Sequence, residues 1–100
     1  HYMIANDIID EFITHQSEKM NLIHQYITEL DFKLLMHEAH SLKGEISMFC
    51  AESVRQKMFI IEDKGRKEIA ENLEQDFNRA LLYIQKLIDE LTIIKNSPSL

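Results

Sequence analysis

Apolar residues recur at intervals of three and four along nearly the whole chain, and five stretches carry that rhythm. In the third, Phe32, Leu35, Ala39, Leu42, Ile46 and Phe49 form one continuous stripe, with Asp31 placed to cap its start. The fifth repeats the pattern through Leu73, Phe77, Ala80, Ile84, Leu87, Leu91 and Ile94, which predicts a long helix from about Lys67 to Lys95. Ile8, Phe12 and Ile13 mark a first helix ending near His15. Ser17 then caps a second, nearly continuous one carrying Met20, Ile23, Ile27 and Leu30. Ala51, Val54, Met58 and Ile61 mark the fourth, which is expected to stop at Asp63-Lys64-Gly65-Arg66 with Gly65 as a left-handed C-terminal cap.

Five amphipathic stretches with short connections, two glycines and a single proline at position 98 leave little material for strands. The expected fold is all-α: an up-and-down antiparallel four-helix bundle with a short extra N-terminal helix. It forms one domain over residues 1–100, ordered over about 5–95, with residues 96–100 as a tail. Met20, Met48 and Met58 are expected as core filler, and Cys50 as a small buried hydrophobe.

Size and charge narrow the functions open to such a bundle. One hundred residues cannot hold a nucleotide-binding lobe beside a substrate lobe, which excludes a self-sufficient kinase. A net charge of −6 with no basic stripe argues against a nucleic-acid partner. No run of about 18 apolar residues offers a membrane span, so no direct membrane contact is expected. The single cysteine rules out an internal disulfide and fits a reducing compartment, so the expected location is cytoplasmic, including the cytoplasmic part of a membrane-anchored sensor.

The chemistry concentrates on the third stretch. His40 lies about 100° round the helix from the core position Ala39, on a face shared with Met36, His37, Lys43, Gly44 and Ser47. Glycine inside a helix costs roughly 1 kcal/mol relative to alanine, so Gly44, one turn after His40, reads as a patch cleared for a partner. A neutral imidazole is a competent nucleophile toward phosphorus, and Lys43 could offset the charge of a phosphoryl group placed on it. A carboxylate or amide on the other ring nitrogen would select the tautomer, and Glu62 is the candidate. His15 and His24 read as solvated surface residues, as does His37 apart from its place on this face. A metal shared by His37 and His40 lacks further ligands.

Ala39-His40-Ser41-Leu42-Lys43-Gly44 resembles the Ala-His-x-Leu-Lys-Gly signature of histidine-containing phosphotransfer (HPt) domains. Asp31, Phe49-Cys50-Ala51, Val54 and Ile61-Glu62 also fall where that family's pattern has Asp, an apolar-Gly-Ala turn, an apolar residue and Leu-Glu or Leu-Gln. With its amphipathic flanks, the resemblance covers roughly residues 5 to 95. It implies that His40 accepts phosphoryl from a receiver-domain aspartate and passes it to another, with Lys43 as charge stabiliser, Glu62 as imidazole orienter and Gly44 as docking clearance. It further implies response-regulator receiver domains as partners, a monomer, no cofactor, and magnesium only on the receiver. A place as the C-terminal module of a hybrid sensor histidine kinase would follow. Two departures stand out: Cys50 replaces the usual glycine, with an altered turn expected, and Glu45-Ile46 follow Gly44 where small residues are common, with an altered docking surface expected.

Two other readings compete. A histidine kinase dimerisation and phospho-acceptor domain also displays a histidine on helices, but that motif follows histidine with an acidic residue and soon a proline, which Ser41-Leu42-Lys43-Gly44 lacks. The remaining alternative is a non-catalytic interaction bundle in which His40 is incidental.

Overall fold

The computed structural model describes residues 6–96, and among these it contains four helices and no strand. They are α1 (Asn6–Glu29), α2 (Phe32–Ser47), α3 (Glu52–Lys67) and α4 (Leu73–Asn96). The two N-terminal stretches are one helix. The polar run at His15-Gln16-Ser17-Glu18 occupies a single turn without glycine or proline, and the inward row continues across it through Phe12, Gln16, Met20, Ile23 and Ile27. A separate N-terminal helix is therefore absent among the described residues. Of the expected tail, Asn96 closes α4, and residues 97–100 lie outside the described range.

The helices enclose one core. Ile9, Phe12, Met20, Ile23 and Ile27 of α1 meet Leu35, Ala39, Leu42 and Ile46 of α2, Val54, Met58 and Ile61 of α3, and the α4 row from Leu73 to Leu91. Each helix packs on its neighbours in sequence, and α4 closes back on α1. Where two pairs join the same helices they run in opposing order: Lys57 and Lys64 of α3 meet Tyr83 and Asp76 of α4, and Asp10 and His24 of α1 meet Lys95 and Glu74 of α4. Lys19 of α1 reaches Ser41 and Glu45 of α2, and His40 of α2 meets Glu62 of α3.

Helix ends explain several departures from expectation. Every positive φ among the described residues falls on a non-glycine residue at a helix junction: Leu30, Cys50, Glu68 and Asn72. Asp31 caps α2 as expected, its side chain accepting the Leu34 N–H at 3.2 Å. Gly65 is not a cap. The turn that ends α3 centres on Glu68, with Glu68 N–H donating to the Gly65 carbonyl and Ile69 N–H to the Lys64 carbonyl, the two bonds of a Schellman ending. Beyond it, Asn72 at φ 62° accepts the Asp76 N–H, and Lys64 binds the Glu71 carbonyl and Asp76. These contacts hold residues 68–72 in a loop, so α4 begins at Leu73 rather than near Lys67.

Three apolar expectations also change. Met20 and Met58 are buried, but Met48 caps α2 at the surface and is 57 % exposed. Cys50 is exposed, because its left-handed φ of 54° turns the chain between α2 and α3. The turn is thus made with cysteine in the conformation that glycine adopts without a steric penalty. Ile94, placed at the end of the α4 stripe, is exposed beyond the last buried residue, Leu91.

Candidate functional site

The site is built from two facing helices. On α2 the stripe of Leu35, Ala39, Leu42 and Ile46 is fully buried, which turns His40 outward and leaves its side chain 70 % exposed. On α3, Ile61 is buried in the core, and Glu62 beside it is directed against α2 with only 2 % exposure. Its carboxylate meets the ring: His40 Nδ1 lies 2.9 Å from Glu62 Oε2. With the carboxylate ionised, Nδ1 carries the proton and donates it, so the lone pair resides on Nε2.

Buried carboxylates are costly unless paired, and Glu62 is paired three times. Arg66, one turn further along α3, donates from Nη2 to Oε2 at 2.7 Å. Lys43 Nζ lies 2.7 Å from Oε1 as an ion pair. That approach lacks hydrogen-bond geometry, leaving Oε1 buried without a hydrogen bond. The Lys43 ammonium also sits 5.2 Å from the centre of the Phe59 ring. Burial by itself would raise the Glu62 carboxyl, but the adjoining Lys43 ammonium and His40 ring outweigh it and hold the group below the usual carboxylate range. Glu62 is consequently an anion at neutral pH, and its role as an acceptor does not depend on small changes in acidity.

The other residues singled out on this face differ in setting. His37 is exposed and Met36 half-buried, on the turn before His40. Gly44 is exposed, and a Cβ built there would meet nothing within 4 Å, which agrees with a cleared patch. Ser47 is exposed, and its hydroxyl donates to the Lys43 carbonyl at 2.9 Å. Of the two residues after Gly44, Ile46 is fully buried and does not contribute to the surface, while Glu45 is tied to Lys19 of α1. Sequence reasoning missed Arg66, placing it in a helix-ending turn. The four-residue spacing from Glu62 was the available signal, once α3 is known to continue to Lys67.

The remaining histidines among the described residues lack this arrangement. His24 stacks on Phe77 with ring centres 4.7 Å apart, and its Nε2 is occupied by both Glu74 oxygens at 2.7 and 3.1 Å. A ring held through Nδ1 by a buried carboxylate, with Nε2 outward, is found at His40. Among the described residues no helix is long and apolar enough to cross a membrane.

The sequence profile of the Hpt domain family matches residues 7–93, and the chain belongs to that family. It is a histidine phosphotransfer module of two-component phosphorelays, a class of proteins that serve as phosphotransfer intermediates and pass phosphoryl groups to response-regulator receiver domains. No curated protein and no solved structure was found to match the chain.

Proposed function

We propose that His40 is the residue through which this Hpt domain relays phosphoryl groups between receiver aspartates. The observation that carries this reading is the hydrogen bond from Nδ1 to the buried Glu62 carboxylate on a ring that is otherwise 70 % exposed. In the forward step the Nε2 lone pair attacks the phosphorus of an aspartyl phosphate. The N–P bond forms, the P–O bond to aspartate breaks, and the aspartate carboxylate leaves with the bonding electrons. The ring gains positive charge as this happens, and the Nδ1–H bond to anionic Glu62 stabilises it. The reverse attack by a second receiver aspartate completes the relay.

The other residues divide the remaining tasks. Lys43 offsets the phosphoryl charge, sharing its ammonium with Glu62 or leaving it to do so. Gly44, Ser47, His37 and Met36 form the docking face, where the bare backbone at Gly44 lets a receiver approach His40 closely. The up-and-down order of the bundle, supported by the opposing order of the pairs between helices, keeps α2 and α3 side by side beneath that face. The domain acts as a cytoplasmic monomer, as the C-terminal module of a hybrid sensor kinase, and has no ATP site or cofactor of its own. Magnesium belongs to the receiver.

Incubation with a radiolabelled phospho-receiver tests the proposal. Label is expected on the wild-type domain and absent from His40→Gln, and the linkage should be acid-labile and alkali-stable, as a phosphoramidate is. Label on His40→Gln would overturn the assignment of the acceptor. Absence of label on the wild type from every receiver tried would favour a non-catalytic bundle, and an obligate dimer would favour a kinase dimerisation domain.

A further inference from the structure

Gly65 lies inside α3, three residues before the left-handed Glu68 that ends the helix, yet it is one of only two glycines in the chain. Its surroundings differ from those of Gly44. A Cβ at Gly65 would lie 3.0 Å from the Met36 nitrogen, 3.2 Å from the Met36 Cα and 3.2 Å from the Phe32 carbonyl oxygen. All three are backbone atoms of α2, so no side chain can rotate away to make room. Any larger residue must push α3 off α2.

The contact is adjacent to the candidate site on both helices. Phe32, Met36 and His40 follow one another at intervals of four on α2, and Glu62 precedes Gly65 by three on α3, so the two pairs occupy successive turns. We propose that Gly65 is a positioning residue for His40: by letting the two backbones touch, it sets the helix separation at which Glu62 reaches Nδ1. Relaxing a 3.0 Å contact to an ordinary separation of about 3.5 Å moves α3 by roughly 0.5 Å. A rigid shift of that size along the His40–Glu62 direction lengthens the 2.9 Å bond by up to the same amount, to as much as about 3.4 Å, beyond the usual N–H···O range. The consequence for phosphotransfer rests on the relay reading above; the effect on the ring does not.

The test reads the imidazole tautomer of His40 by ¹⁵N NMR of the labelled domain near pH 8, where an ordinary histidine is neutral. Wild type is expected to hold the proton on Nδ1, and Glu62→Ala to lose that preference. Gly65→Ala should follow Glu62→Ala, with the Nδ1–H to Nε2–H ratio falling at least threefold. Gly44→Ala, the same substitution in open space, should keep the wild-type ratio. If Gly65→Ala alone does not fold, the ratio is read in Gly44→Ala/Gly65→Ala, where alanine at 44 restores helix stability without touching the α2–α3 contact. A wild-type ratio in the folded Gly65 variant would overturn the proposal, whatever its melting temperature, and so would a wild type without an Nδ1–H preference. Transfer from a phospho-receiver is measured in parallel. A wild type with a fixed ring that takes no phosphoryl would sink the relay reading while supporting the role of Gly65.

Discussion

Replacing Glu62 by glutamine removes one negative charge from a site where three cationic or cation-forming side chains converge, while nearly preserving shape. At 2.7 Å the Lys43–Glu62 attraction is about 6 kcal/mol gross at an effective dielectric constant near 20. Burying the carboxylate to 2 % exposure cancels most of this, since desolvation costs several kcal/mol per ion. Glutamine leaves Lys43 without its counter-charge while Arg66 keeps Asp63 at 3.2 Å, and neither cation is sealed in: Arg66 is 48 % exposed and Lys43 17 %. The net loss at pH 7 should therefore be about 1–2 kcal/mol, below the 3–5 typical of stranding a fully buried charge. For a domain of this size that is a fall in melting temperature of roughly 5–15 °C.

The pH dependence separates charge from shape. Because the folded-state pKa of Glu62 is lowered, its ionised form contributes stability that is complete above the unfolded carboxylate range, near pH 4–5, and is lost as pH falls through the lower folded value. Protonated glutamate and glutamine are nearly isosteric. Urea unfolding of wild type and Glu62→Gln should thus show a stability gap at pH 7 that narrows by more than half at about pH 3. Equal gaps at both values would refute the claim that the carboxylate charge holds the cluster together.

Other substitutions probe the rest of the molecule. Cys50→Gly relieves a left-handed backbone at φ 54° and should stabilise the fold by about 0.5–1 kcal/mol in thermal unfolding, net of the greater entropy of the unfolded glycine chain. Asp31→Ala removes the acceptor for the Leu34 N–H and should cost about 1 kcal/mol by the same measurement. Gly44→Ala should raise stability by about 0.5–1 kcal/mol, because its Cβ enters open space; a loss would show that the patch is not clear. Lys43→Ala should slow phosphoryl acceptance in a folded domain, and unchanged transfer kinetics would remove Lys43 from the mechanism.

The spacing of apolar residues determined a good deal without coordinates. A period of 3.6 converts position in the chain directly into angle around a helix, so the all-α class, the α2 stripe and the outward direction of His40 all follow from local geometry. Distances between helices and the conformations that end them do not. Glu62 could be selected as a partner for His40 by chemical type, but its burial, its bond to Nδ1 and the addition of Arg66 depend on how closely α3 settles on α2. The same tertiary contact explains why Gly65 is needed inside a helix rather than at its end. It was likewise the packing of a continuous α1 that overrode the polar run at residues 15–18, and the turn between α2 and α3 that carried Met48 and Cys50 to the surface. Sequence periodicity records which way a side chain leaves its helix; only the assembled volumes of all four helices decide what it meets there.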